Sequence, residues 1–147
     1  MAPDSVFPEL IFSRPDHAAM MAHYHFANVL ILLNRPNRPH GNPIIQLREY
    51  RDLMKNVEAD CREICGIANG RPHAAARINL IQPLYLAGQC LEGGQERKPV
   101  IQLLRDIQLD TGWSTEYRVK ELLNEYHGSD QIQVPPHTIL PTALCTL

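Results

Sequence analysis

The sequence predicts an all-α protein, an irregular bundle of about five helices with disordered termini, in which one helix is kinked by a proline. Apolar residues recur at three- and four-residue spacing in separate stretches, and Gly- and Pro-rich segments divide those stretches. No stretch alternates apolar and polar residues in the way that a half-buried strand does. These three observations favour helices packed on helices over any fold that contains a sheet.

Composition and charge narrow the class of protein. The chain has 147 residues, of which 44% are hydrophobic and 20% are charged, as is typical of one globular domain. Its 14 basic and 16 acidic residues are interleaved by sign, which argues against a general affinity for nucleic-acid backbones. The first residues lack a basic start and an apolar core, and the longest aliphatic run, residues 29–33, is too short to cross a bilayer. We therefore expect no secretory signal, no membrane segment and reduced cysteines.

The breaks in the pattern divide the chain into three parts. Residues 1–15 carry scattered prolines and read as an irregular lead-in. Residues 16–127 contain all of the helical periodicity and form one helical domain. Residues 128–147 are proline-rich and almost without charge, and are predicted to be a disordered tail.

The first two helices carry the clearest periodicity. The first is predicted to begin at Asp16, as its N-cap, and to end at about Leu33. The second is predicted from about Ile44, just after Pro43, to about Ala68. The first helix carries one apolar stripe, Met20, Tyr24, Ala27 and Ile31, and a second adjacent one, Phe26, Leu30 and Leu33, so it is expected to be central in the fold. The apolar stripe of the second helix is Leu47, Tyr50, Met54, Val57, Cys61, Ile64 and Ala68.

The third predicted helix, residues 73–90, contains an interior proline. Pro83 cannot donate a hydrogen bond to the Asn79 carbonyl, so the helix is expected to kink there.

Two further helices complete the predicted bundle. The fourth covers residues 96–111, with Pro99 tolerated in its first turn, and the fifth covers residues 114–126. Ser114 or Thr115 is the predicted cap of the fifth helix. Its residues predicted to face the core are Tyr117, Leu122 and Leu123.

The sequence contains no convincing catalytic or metal-binding constellation. Cys61 and Cys65 lie four apart on the second helix, but two further ligands with suitable spacing are missing, so buried core thiols are expected and neither a metal nor a cofactor. No HExxH motif, phosphate loop or GxSxG elbow is present. The chain is therefore predicted not to be an enzyme. A small helical enzyme with a Cys nucleophile and a distant His is the alternative.

Several polar and aromatic residues are candidates for contact with a partner or a ligand, or else for structural roles. Trp113 is interpreted as an aromatic plug between the last two helices, with a partner contact as the alternative. Gln82 and Gln89 share one face of the third helix, where they either bond backbone groups freed by Pro83 or face a ligand. The complete candidate set is Gln82, Tyr85, Gln89, Trp113 and Tyr117.

The amino-acid sequence also resembles that of a known protein family. Three segments, IQPL at residues 81–84, AGQCL at 87–91 and TGWSTEYR at 111–118, resemble the C-terminal helical regulatory region of fungal binuclear zinc-cluster transcription factors. The segments at residues 24–27 and 63–68 add to the resemblance, which extends from about Ala18 to Tyr126. The six-cysteine signature of the family's DNA-binding cluster is absent from this chain.

The resemblance implies a fungal-specific regulatory domain in the nucleus, here partial, which makes protein contacts and no direct contact with nucleic acid. Those contacts are either self-association or contacts with the remainder of a longer factor, and apolar faces without partners are then expected to be exposed. The alternative is a module that binds a small hydrophobic metabolite between the first and third helices near Pro83, in a cavity lined by Met20, Tyr85 and Gln89.

Overall fold

The computed structural model describes residues 5–36 and 41–131, and within these ranges every regular element is an α-helix. The predicted all-α fold class is therefore confirmed. The helices, in chain order, are α1 (Pro15–Leu33), α2 (Pro43–Asn69), α3 (Ala74–Asn79), α4 (Ile81–Cys90), α5 (Gly94–Thr111) and α6 (Glu116–Gln131).

Helices α1 and α2 form an antiparallel pair, and α2 lies at the centre of the bundle. The Nδ1 atom of His25 lies 2.7 Å from the Oδ1 atom of Asp60, and Ala18 lines the same cavity as Gly70, which sets the register of the pair. Helix α2 also packs against α4 and α5. The largest fully buried side chains come from all helices except α3, whose C-terminal neighbour Leu80 contributes instead; they are Ile64, Ile67, Leu80, Leu84, Leu91, Leu104, Ile107, Leu122, Val29, Val57, Val100 and Val119.

The described part of the lead-in, residues 5–14, is irregular as predicted but is ordered against α2. Phe7 is only 2% exposed. The Leu10 amide donates to the Gly66 carbonyl at 3.0 Å, and the Asn69 side chain donates to the Phe7 carbonyl at 2.9 Å. A buried aromatic ring and paired backbone groups therefore hold these irregular residues against α2. Residues 1–4 lie outside the described residues.

The start of α1 also differs from prediction. Helix α1 begins at Pro15, so Asp16 lies within the first turn and is not the N-cap. The Asp16 carboxylate instead accepts hydrogen bonds from the Arg14 guanidinium, which lowers the pKa of Asp16. A proline at the first position of a helix loses nothing, because its missing N–H has no partner there in any case.

The segment predicted as one helix kinked at Pro83 is two helices, and Pro83 lies near the start of the second. The chain ends α3 at Asn79, turns at Leu80 and restarts as α4 at Ile81. The Leu80 amide donates to the Arg77 carbonyl at 3.0 Å, three residues back, and the Leu84 amide then donates to the Leu80 carbonyl at 2.9 Å. Pro83 thereby becomes the third residue of α4. A backbone N–H at this position has no acceptor within the helix, so the missing N–H of proline costs no hydrogen bond. The bundle accordingly has six helices in its described part instead of about five.

The last two helices are longer than predicted. Helix α5 begins at Gly94, so Pro99 lies in its second turn and not in its first. Helix α6 runs from Glu116 to Gln131, so residues 128–131, which were assigned to the tail, are helical. The remainder of the predicted tail, residues 132–147, lies outside the described residues.

Candidate protein-interaction surfaces

The N-terminal end of α2 extends beyond its neighbour α1. Because His25 lies opposite Asp60, the end of α1 at Leu33 falls opposite residue 52 or thereabouts, and residues 43–52 continue past it. Ten helical residues span about 15 Å. Every residue from 41 to 52 is exposed. We call residues 43–52 the protruding end of α2.

The protruding end of α2 carries large apolar side chains. Ile44 is 68% exposed and Tyr50 is 57% exposed, with Ile45 and Leu47 also exposed. The prediction that Leu47 and Tyr50 face the core is therefore wrong, whereas the prediction for Val57 and the residues beyond it in the same stripe is confirmed. The stripe is continuous along α2, and it leaves the core where α1 ends.

Helix α1 buries a different face from the predicted one. Met20 is 67% exposed and Ile31 is 69% exposed, and Tyr24 and Ala27 are exposed with them. The face that packs on the bundle instead carries Ala18, Ala22 and Val29. Small residues let two helix backbones approach closely, so this small face lies inward. Of the second predicted stripe, Phe26 is partly buried against the core, whereas Leu30 and Leu33 are exposed.

The structure brings together three of the candidate residues, Tyr85, Gln89 and Tyr117, between α4 and α6. The Gln89 amide donates to Glu125 Oε1 at 2.9 Å, and the Tyr85 hydroxyl donates to the same oxygen at 3.3 Å. The Arg118 guanidinium carbon lies 4.3 Å from the centre of the Tyr85 ring and 5.1 Å from that of Tyr117. We call these five residues the α4–α6 cluster.

The charge state of the α4–α6 cluster is fixed by its own contacts. Burial, followed by the nearby carboxylates of Glu125 and Glu121, raises the pKa of Tyr85, so its phenol stays neutral. A hydrogen bond of 2.8 Å from Arg118 to Glu121 raises the pKa of Arg118, which stays charged. Tyr85, Gln89 and Glu125 thus satisfy one another and link α4 to α6, whereas the buried Nε–H of Arg118 has no hydrogen-bond partner among the described residues.

The other two candidate residues take no part in the α4–α6 cluster contacts. Gln82 is exposed and makes no hydrogen bond with a residue in the described ranges, so the predicted bond to backbone near Pro83 is not formed. Trp113 is 56% exposed, so its interpretation as a plug is wrong. Thr115 fills the corner between α5 and α6 instead: it is fully buried, and its hydroxyl donates to the Leu104 carbonyl at 2.7 Å.

A glycine sets the close approach of α4 to α6. A Cβ atom on Gly88 would lie 2.8 Å from a Leu122 methyl carbon and 3.1 Å from the Tyr126 hydroxyl oxygen. We expect Gly88→Ala to reduce the free energy of unfolding by about 1 kcal/mol, because Leu122 is fully buried and can shift only slightly. Urea unfolding measures the change, and an unaltered or higher stability would show that the helices have room to separate.

Two of the cysteines, Cys61 and Cys65, lie in the core as the sequence predicts. Cys61 and Cys65 are both fully buried. Burial raises the pKa of the Cys65 thiol, and a hydrogen bond with Cys90 together with burial raises that of Cys61. The same hydrogen bond lowers the pKa of the half-buried Cys90. In the described part of the chain no three His, Cys, Asp or Glu side chains are grouped so that they could hold a metal ion.

The cavities do not coincide with the predicted metabolite site. Met20 lies on the solvent side of α1, so it does not enclose a ligand with Tyr85 and Gln89. One cavity of about 230 Å³ lies between the lead-in and the connection from α2 to α3, and another of about 280 Å³ lies between α5 and α6. No helix in the described ranges is both long enough and apolar enough to span a membrane.

The geometry defines an all-helical domain with a packed core and large apolar side chains exposed along two of its helices. In sequence it is similar to the transcription activator AMTR1 of Alternaria alternata, with 33% identity over 129 residues. That alignment covers 86% of this chain but only 17% of the length of the activator. No protein-family model and no solved structure matches the chain.

Proposed function

We propose that this chain is a regulatory domain of a nuclear transcription regulator, related to the zinc-cluster factors, and that it acts through protein contacts without catalysis. The similarity to a transcription activator supports the role in transcription. One structural observation supports the mechanism: the apolar stripe of α2 continues from the core onto the protruding end, where Ile44, Leu47 and Tyr50 meet solvent. A contiguous apolar surface of this kind is typical of protein interfaces.

The partner that fits the protruding end is a second copy of this chain. The protruding end has two basic residues, Arg48 and Arg51, and two acidic residues, Glu49 and Asp52, so its net charge is zero and two copies meet without net repulsion. An amphipathic helix end can pair with its own symmetry mate, because a two-fold interface uses the same surface patch twice. Such pairing extends the apolar seam of α2 past the end of α1.

We expect the double substitution Ile44→Glu/Leu47→Glu to abolish self-association. In a symmetric dimer it removes four apolar side chains from the interface, and burying each contributes about 1.5 kcal/mol, so the dimer dissociation constant rises on the order of ten-thousandfold. Sedimentation equilibrium of the purified chain measures this as a change from dimer to monomer at one concentration.

The matched control is Leu109→Glu, which changes an exposed leucine on α5, outside the protruding end. This variant should remain a dimer, and circular dichroism should show that all three proteins keep their helices. A monomeric parent chain, or equal dissociation of both variants, would contradict the proposed dimer.

A second experiment tests the same contact in cells. The chain is fused to a DNA-binding module that recognises its operator only as a dimer, and a reporter gene is followed. The parent chain and the Leu109→Glu control should restore operator binding, and Ile44→Glu/Leu47→Glu should not. Equal reporter expression from the parent chain and from Ile44→Glu/Leu47→Glu would argue against the protruding end as the contact surface.

A further inference from the structure

A groove between α5 and α6 combines an apolar floor with a positively charged rim. Its cavity volume is about 280 Å³. The floor is formed by Ile101 and Leu123 and by the ring of Tyr126, and the rim carries the basic groups of Arg97, Lys98 and Arg105. We call this the α5–α6 groove. None of the residues singled out from the sequence as contact candidates lines it.

The basic groups of the groove have only long contacts, or none, with the carboxylates of the described residues. Lys98 makes no ion pair or hydrogen bond with another residue in the described ranges. The closest approach of Arg97 to the Asp130 carboxylate is 3.6 Å, and that of Arg105 to Glu116 is also 3.6 Å. These separations exceed the length of a hydrogen bond between charged groups, so an incoming anion can form shorter contacts.

Arg97 packs against the aromatic part of the groove. Its guanidinium carbon lies 4.6 Å from the centre of the Tyr126 ring, and its Nε–H is buried without a hydrogen-bond partner among the described residues. The Tyr126 hydroxyl is already occupied, because it donates to the Gly88 carbonyl at 2.8 Å, and burial raises its pKa to about 12. The groove therefore presents the face of a neutral ring and one or more cationic donors.

We propose that the α5–α6 groove is a binding site for an amphipathic monocarboxylate, with the carboxylate on the cationic rim and the hydrocarbon chain on the apolar floor. A volume of 280 Å³ holds about nine groups the size of a water molecule or a methylene, at about 30 Å³ each. A carboxylate with seven or eight carbons is of about this size. This site is separate from the protruding end of α2, so it binds its ligand whether or not the chain dimerises.

The test uses sodium octanoate as the probe and amide chemical shifts of the labelled chain as the readout. We expect saturable shifts confined to the segments that line the groove on α5 and α6. The substitution Lys98→Gln/Arg105→Gln should weaken octanoate binding by about tenfold or more, because removing a charge-assisted hydrogen bond to the carboxylate weakens binding by roughly that factor. Arg97 is left unchanged, since its stacking on Tyr126 gives it a structural role.

The controls separate the contributions of charge and chain. The matched variant Lys55→Gln/Lys120→Gln removes two exposed lysines that do not line the groove and should bind octanoate as the parent chain does. Acetate and 1-octanol, which each keep one half of the ligand, should bind at least tenfold more weakly than octanoate. The variant Ile44→Glu/Leu47→Glu should bind octanoate normally, whatever its oligomeric state.

Several outcomes would overturn the site. These are no saturable shifts with octanoate, shifts centred on α1 or α2, equal binding of acetate, and binding unaffected by Lys98→Gln/Arg105→Gln. Saturation by a short acidic amphipathic peptide at lower concentration than octanoate would also overturn it, in favour of a groove for a peptide.

Discussion

The substitution Gly70→Ala is expected to detach the lead-in from the bundle and to lower the free energy of unfolding by about 3 kcal/mol. A Cβ atom at this position would overlap the backbone carbonyl oxygen of Leu10, which cannot rotate away as a side chain does. The lead-in would have to move as a unit, losing the burial of Phe7 and the hydrogen bond between Leu10 and Gly66. Gly70 itself has φ −67°, so alanine tolerates its backbone conformation and the steric overlap is the cause.

Amide hydrogen exchange and urea unfolding together measure this effect. In Gly70→Ala the Leu10 amide should lose its protection against exchange, while the amides in the middle of α2 keep theirs if the bundle survives. The matched control is Gly128→Ala, because a Cβ atom there meets nothing within 4 Å and Gly128 lies inside α6. That control should raise the stability by up to about 1 kcal/mol. Retained protection at Leu10 in Gly70→Ala would show that the lead-in adjusts without leaving α2.

Helix α1 shows why periodicity alone identified the helix but not its buried face. The predicted stripe from Met20 to Ile31 and the buried face with Ala18, Ala22 and Val29 both follow three- and four-residue spacing. Hydrophobicity favours the larger side chains, yet the backbone of α1 approaches its neighbours through the small ones. Which face lies inward depends on how closely α1 and its neighbours pack, and a single sequence carries no information on that distance.

Helix α2 shows a second reason why the sequence pattern does not predict which residues are buried. Its stripe predicted the buried residues Val57, Cys61 and Ile64 correctly and Leu47 and Tyr50 wrongly. The pattern is the same over the whole helix, but α2 has 27 residues and α1 has 19, so the intramolecular partner ends first. The sequence thus predicted the apolar seam, and the structure shows which part of the seam the chain itself covers. The uncovered part supports the proposed interface.

The candidate contact residues were predicted only in part. Tyr85, Gln89 and Tyr117 are candidates from the sequence and do meet, but Tyr85 and Gln89 meet through Glu125, which lies 40 residues from Tyr85, and Tyr117 joins them through Arg118. No local signal marks such a pairing, because it depends on the angle between α4 and α6. The prediction for Trp113 is wrong for a related reason. The corner between α5 and α6 that it was expected to fill is small enough to be filled by Thr115.

The substitution Gln108→Met is expected to lower the free energy of unfolding by about 2 kcal/mol and to fray the start of α6. Thr115, one of the two residues predicted as the cap, holds the N-cap position, since its carbonyl accepts the Val119 amide at 3.1 Å, but the side-chain acceptor at this helix start comes from α5. The Oε1 atom of Gln108 accepts the backbone N–H groups of Thr115 at 2.7 Å and of Glu116 at 3.1 Å. Methionine keeps the length of the side chain but offers no comparable acceptor, so both part-buried donors lose their partner.

Trp113 is the only tryptophan and lies three residues before Glu116, the first residue of α6, so its fluorescence reports on the start of that helix alongside the urea transition. The control is Gln102→Met on α5, the helix that also carries Gln108. It removes only an exposed hydrogen bond of 2.8 Å to Asp106 and should lower the free energy of unfolding by less than about 0.5 kcal/mol. Loss of the cap also loosens Tyr117 and Arg118, so the α4–α6 cluster should weaken with it. Equal stabilities of the two variants would mean that the first turn of α6 takes its acceptors from solvent, and that the connection between α5 and α6 is held by the burial of Thr115 alone.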